Sequence, residues 1–154
     1  MAGAGRIPRI LLVEDSEDDA FFFRRVARRS GVQLEICHLS NGLAAVAELE
    51  RFLSAPTNTE VTAPDLVFLD LKLPDLDGFE LLSWVKKQPS LARLNIAVLS
   101  GSEDAADLHR AKSLGAISYF AKPIKVEQLR SILTACGLHR ESNGSPVRST
   151  VASA

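Results

Sequence analysis

A chain of 154 residues, 46% hydrophobic and 24% charged, has the balance of one globular domain with a proper core and little room for a second. Its formal net charge of −1 lacks the basic excess of a general nucleic-acid binder, so no nucleic-acid partner is expected. No segment nears the roughly 18 uninterrupted apolar residues of a membrane span, and Met1–Arg9 has no apolar run fit for a secretion signal, so a cytoplasmic protein is expected.

In chain order, short apolar runs alternate with helical patterns. Residues 1–8 read as a flexible N-terminus ahead of a folded body over 9–140. Arg9–Val13 predicts a buried strand and Asp18–Ser30 a helix; Leu34–Leu39 and Leu43–Phe52 predict the next pair. Ser54–Pro64, with Thr57, Thr59, Thr62 and two prolines, reads as a long exposed surface connection. Asp65–Leu69 predicts a third strand, with Gly78–Lys87 as its helix. Asn95–Leu99 with Glu103–Leu114, then Ile117–Phe120 with Val126–Cys136, complete the alternation. From Glu141 onward no apolar period survives, and 141–154 reads as a disordered tail. Cys37 and Cys136 sit among apolar residues and read as buried small hydrophobes rather than a disulfide scaffold.

Strands this continuously apolar argue for a parallel sheet covered by helices on both faces. At this size the α/β, doubly wound, flavodoxin-like order 2-1-3-4-5 is expected. A closed parallel barrel would need about eight such units.

In the first helix, Phe21, Phe22 and Phe23 cannot all face the core, because successive residues turn by about 100°. Spacing assigns Phe22, Phe23, Val26 and Ala27 to the sheet. Phe21 falls on the wet side with Arg25 and Arg28, a candidate docking anchor for a protein partner.

Parallel sheets of this kind bind ligands beyond the carboxyl ends of their strands, where the strand order reverses. The first strand ends in Glu14-Asp15, the third in Asp70 and the fourth in Ser100, and Lys122-Pro123 follows the fifth. Each has a duller reading: a turn-forming Asp, an acidic helix start over Glu14–Asp19, a loop hydroxyl, a solvated lysine. Their coincidence at one end of the sheet argues otherwise. Three neighbouring carboxylates repel unless a cation sits among them, and oxygen ligands without His or Cys favour a hard ion such as Mg2+. A carboxylate beside a metal, a hydroxyl and an ammonium suits an acyl-phosphate site. Asp70 would be the nucleophile, with Ser100 and Lys122 meeting the phosphoryl oxygens.

With these residues in place, the chain from about Arg9 to Gly137 resembles the receiver domains of two-component response regulators. The resemblance rests on Leu12-Val13-Glu14-Asp15, the run Leu69-Asp70-Leu71-Lys72-Leu73-Pro74-Asp75-Leu76-Asp77-Gly78, Val98-Leu99-Ser100-Gly101, Gly115-Ala116 and Tyr119-Phe120-Ala121-Lys122-Pro123. It implies Asp70 as phosphoacceptor, and Glu14, Asp15, Asp70 and the Lys72 backbone carbonyl as Mg2+ ligands. It implies Ser100 and Tyr119 as switch residues, Lys122 as the phosphate-contacting lysine, and a cis Lys122-Pro123 bond. Glu14 stands where many relatives carry Asp, and position 72 is one that influences phosphoryl lifetime in the family. The motifs and the long 54–64 connection also resemble stand-alone receivers that partner phytochrome-type sensor kinases.

The implied activity is a signalling switch, catalysing only its own phosphorylation and dephosphorylation, with a sensor histidine kinase as input. Output would pass through the chain's own surface, to an unidentified downstream protein, by pairing with itself, or by handing its phosphoryl group on as a relay intermediate or phosphate sink. A haloacid-type aspartyl-phosphate hydrolase needs a second Asp two residues after the nucleophile, where this chain has Lys72. A P-loop enzyme needs a Gly-rich loop after the first strand, and Glu14-Asp15-Ser16 is not one. No His is placed for a hydrolase triad; His38, His109 and His139 read as structural or surface residues.

Overall fold

A computed structural model describes residues 6–56 and 62–140. The run Arg9–Val13 forms β1, buried from Ile10 onward, and Ser16 then caps α1 (Glu17–Arg29) by accepting the Asp19 N–H. β2 (Glu35–Leu39) leads to α2 (Gly42–Ser54), capped by Asn41. β3 (Leu66–Asp70) is buried along its whole length, and α3 (Gly78–Lys86) starts at a reciprocal capping box between Asp77 and Glu80. A single 3₁₀ turn (Pro89–Leu91), not expected from the sequence, precedes β4 (Ile96–Ser100). α4 (Ala105–Ser113), β5 (Ser118–Ala121) and α5 (Val126–Ala135) complete the order.

All pairings are parallel and the strand order is β2-β1-β3-β4-β5, the flavodoxin-like arrangement expected. Because successive strand residues point to opposite faces, the core divides in two. Leu11, Val13, Val67, Leu69 and Val98 pack with Ala45 and Leu49 of α2, Leu81, Leu82 and Val85 of α3, and Ala111 of α4. Ile10, Leu12, Leu66, Phe68, Ala97 and Leu99 pack with Ala20, Phe23 and Ala27 of α1 and Leu129, Ile132 and Leu133 of α5. Phe23 packs against Phe68 with ring centroids 4.8 Å apart and planes tilted by 58°, so truncating either aromatic would cost about 3–5 kcal/mol.

Several expectations are corrected. Phe22 is not on the sheet face: it is 49% exposed, and the buried stripe is Ala20, Phe23 and Ala27, with Val26 half-buried beside it. Phe21, at 60%, is on the wet side as expected. Cys37 is exposed rather than buried, because β2 is an edge strand with a wet face, and Cys136, at the C-terminal cap of α5, is only half-buried. Not every strand is therefore dry on both sides. Arg6, within the stretch expected to be flexible, makes a two-pronged ion pair with Asp65 at 2.7 and 3.1 Å, and Asp65 also accepts the Arg9 N–H. Residues 1–5, most of the 54–64 connection (57–61) and the 141–154 segment lie outside the described residues. Among the described residues, no helix is long and apolar enough to cross a membrane.

Candidate functional site

The sheet register sets the site. β1 and β3 run side by side with Val13 opposite Leu69, so the residues just beyond them, Glu14 and Asp70, emerge together. β4 places Leu99 opposite Asp70, and β5 places Ala121 opposite Ser100, so Ser100 and Lys122 follow at the same end. Glu14 is fixed from the edge strand: its N–H donates to the Leu39 carbonyl and its own carbonyl accepts from His38 Nε2 at 2.7 Å. His38 is thus a structural residue, in the service of the site.

Lys122 is the hub. Its ammonium lies 2.8 Å from Glu14 Oε1, 2.9 Å from Asp70 Oδ2 and 2.9 Å from Asp19 Oδ2. Glu14 and Asp70 are almost fully buried, whereas Asp19 is 41% exposed. The Lys122–Pro123 bond is cis, as the resemblance implied. The other Asp70 oxygen accepts the Lys72 N–H at 3.1 Å, and the second Glu14 oxygen accepts the Ser16 N–H. Asp15 is exposed at the rim, with carboxylate oxygens of Glu14, Asp15 and Asp70 all within 4.8 Å of one another.

The charges do not balance. Glu14, Asp15, Asp19 and Asp70 share the site with one ammonium among the described residues, and it contacts all but Asp15. Burial pushes the Glu14 carboxyl up to about 7; hydrogen bonds from Lys122 and the Ser16 N–H oppose that, and the Asp70 charge adds to it. Burial works against the charge on Lys122, but the hydrogen bonds its ammonium donates to Glu14, Asp19 and Asp70 outweigh it and raise its pKa above the ordinary lysine value. An all-oxygen set with surplus negative charge, two of its carboxylates buried, fits a hard divalent cation.

Ser100 and Tyr119 meet through a residue the sequence reading missed, Ser102. Ser100 is buried and its hydroxyl oxygen accepts the Ser102 N–H at 3.0 Å. Tyr119, half-buried against the α2–α4 core, donates its hydroxyl to the Ser102 carbonyl at 3.0 Å. Asp19 was also missed as a site residue. It stands in the acidic run that reads as a helix start, and its lysine partner is 103 positions away.

Two cavities flank the cluster. One, of about 440 Å³, opens between the loop after β3 and α4 and is lined by Asp15, Lys72, Pro74, Ser100 and Asp107 among others. The other, of about 410 Å³, runs between α1 and the segment after β5. Phe22, Phe23, Val26, Pro123 and Ile124 form its apolar wall, with Glu14, Asp19 and Lys122 at its end.

Residues 10–134 match the protein family described as the response regulator receiver domain. Among curated proteins, response regulator Rcp1 of Synechocystis sp. is 34% identical over 123 residues, covering 78% of this chain and 80% of Rcp1. Among solved structures, the phosphorylated cyanobacterial phytochrome response regulator RcpA superposes with a TM-score of 0.68 at 31% identity, covering 84% of this chain and 91% of RcpA. The Mn2+-bound form of Rcp1 superposes with a TM-score of 0.65 at 32% identity, covering 83% and 90%.

Proposed function

The chain belongs to the response regulator receiver family, and on that premise we propose that it is a Mg2+-dependent switch that accepts a phosphoryl group from a sensor histidine kinase onto Asp70. The observation that carries this reading is the Asp70 carboxylate itself, held by the Lys122 ammonium on one oxygen and the Lys72 N–H on the other, inside a carboxylate cluster fit for a divalent cation.

In the transfer, an Asp70 oxygen attacks the phosphorus of a phosphohistidine. The O–P bond forms, the N–P bond breaks, and the imidazole nitrogen leaves with the bonding pair. Glu14, Asp15, Asp70 and the Lys72 carbonyl would hold Mg2+, which when bound would supply further positive charge to the phosphoryl oxygens. Lys122 moves its contact from Asp70 to the phosphoryl group while Asp19 keeps hold of it, and the Ser100 hydroxyl donates to a phosphoryl oxygen. Ser100 and Tyr119 then shift the surface of α4, β5 and α5, where Leu108 and Ile117 are exposed, toward a downstream protein or a second copy of the chain.

The kinase docks on α1. Phe21 and Phe22 stand out from the helix as an edge-to-face pair 6.0 Å apart, beside the apolar cavity that ends at Lys122. Exposed aromatics near arginines are the usual anchors of protein interfaces. The likeness to Rcp1 and RcpA supports a phytochrome-type kinase, and the reading places the protein in the cytoplasm.

The test is incubation with acetyl phosphate and Mg2+, followed by intact-mass and peptide analysis. One phosphate on Asp70 is expected, none in Asp70→Asn, and none when EDTA replaces Mg2+. Phosphate on a serine or histidine overturns the assignment.

A further inference from the structure

Among the described residues, each α-helix except α2 carries its own acid in its first turn: Glu17, Asp18 and Asp19 on α1, Glu80 on α3, Asp107 on α4, Glu127 on α5. An acid there complements the positive end of the helix dipole and takes up unpaired N–H groups. For α2 that acid comes from elsewhere in the chain. Asp75, in the loop between β3 and α3, accepts the Gly42 N–H at 3.0 Å and the Leu43 N–H at 3.3 Å, across more than thirty residues of sequence. It also accepts the neighbouring Leu76 N–H at 2.6 Å.

The contact is close as well as polar. A Cβ on Gly42 would fall 2.2 Å from the Leu76 carbonyl oxygen, so only glycine lets the loop lie on the helix this way. This loop is the one that follows the phosphoacceptor. Its near end is tied by the Lys72 N–H on Asp70 and its far end by the Gly78 N–H on the Leu71 carbonyl. Those two bonds fix the Leu71–Lys72 peptide, whereas burial of the Leu71 and Leu73 side chains does not by itself fix the Lys72–Leu73 peptide that carries the Lys72 carbonyl. The direction of the Lys72 carbonyl then depends on where Pro74 to Leu76 are held, and α2 holds them.

We propose that Asp75, seated against Gly42, is a positioning residue for the metal site: it straps the loop bearing Lys72 to the first turn of α2 and so sets that loop's contribution to cation binding. The inference rests on the Mg2+ reading of the preceding section. A competing explanation is that Asp75 only stabilises α2, and the two differ in what a variant does to cation affinity.

The experiment is calorimetric titration of the full chain with Mg2+ for wild type, Asp75→Ala and Asp75→Asn, with a melting curve for each. Asp75 is exposed, so both variants keep the core intact. Removal of a residue that orients a metal ligand typically weakens binding by about 10–100-fold, and Asp75→Ala should lie near the lower end. Asp75→Asn keeps an acceptor oxygen at the same reach and should stay close to wild type. A lowered melting point with unchanged Mg2+ affinity in Asp75→Ala overturns the proposal in favour of simple capping. Equal weakening in Ala and Asn variants overturns it in favour of a distant charge effect. A wild type that takes up no Mg2+ refutes the site reading itself, a result separate from any effect of Asp75.

Discussion

Replacing Lys122 by Met keeps a stem of similar length and removes the only ammonium the cluster holds among the described residues. Glu14 and Asp70, with side chains 3% and 6% exposed, would then face each other without a counter-charge. Taking one partner from a buried ion pair costs about 3–5 kcal/mol. Asp19 is wet enough for water to take over its share, so the lower end, about 3 kcal/mol, is expected. At about 2–4 °C per kcal/mol for a domain of this size, the midpoint in EDTA should fall by about 6–12 °C. The Glu14 carboxyl, already pushed up to about 7, can escape part of the penalty by protonating, so the loss should be larger at pH 8 than at pH 6. Mg2+ should shrink the loss, since it neutralises the same carboxylates and no ammonium competes with it. Saturation at 100 times the Kd contributes about 2.7 kcal/mol. Thermal unfolding at both pH values, with EDTA and with Mg2+, reads all of this. A variant as stable as wild type in EDTA, or a loss that Mg2+ leaves untouched, would refute the charge argument.

At Asp65, partial burial works against the carboxylate, but bonds from Arg6 and the Arg9 N–H outweigh it and hold its pKa below the ordinary value. A pKa lower in the folded state contributes stability above about pH 4 that is lost as pH falls below it, so the gap between wild type and Asp65→Asn should close on acidification. The pair is partly exposed, so at pH 7 that gap should be about 1 kcal/mol, and urea melts showing a constant gap from pH 7 to pH 3 would count against the ion pair. Ser100→Ala should still take up phosphate but lose much of the phosphorylation-dependent change in amide exchange over residues 103–137; an undiminished response removes Ser100 from the switch. Phe21→Ala should leave acetyl-phosphate labelling and the melting point unchanged while cutting transfer from the cognate kinase about tenfold. A lowered melting point with unchanged transfer would make Phe21 a packing residue instead.

The strands and the cluster of carboxylates around Lys122 were legible because the residues that form them stand in short-range patterns. Apolar runs bounded by turn residues mark strands, and the strand order then gathers Glu14, Asp15, Asp70, Ser100 and Lys122 without further information. What escaped depends on pairings between distant elements. Phe22 and Phe23 both fit a helical stripe; only the packing of α1 against α5 as well as the sheet decides for Ala20, Phe23 and Ala27. Asp19 looks like any helix-start acid until Lys122 is placed opposite it. Cys37 is the exception, since the order 2-1-3-4-5 already puts its strand at an edge, where one neighbour leaves a face open to water.

Ser102 shows why, under the proposed function, a change at Asp70 travels outward. Each of its polar groups is engaged. Its N–H bonds the Ser100 hydroxyl, its carbonyl accepts from Tyr119, and its hydroxyl accepts the Asp104 N–H and donates to Asp107 at the start of α4. The strands behind it are buried and paired on both sides at β3 and β4, so they cannot yield. A phosphoryl group that draws the Ser100 hydroxyl toward Asp70 must weaken the bond from the Ser102 N–H. The displacement has only the loop after β4 to go into, and that loop holds Tyr119 and the first turn of α4 together. Coupling to the α4–β5 face is then a consequence of hydrogen-bond economy at one residue, not of a deformation of the sheet.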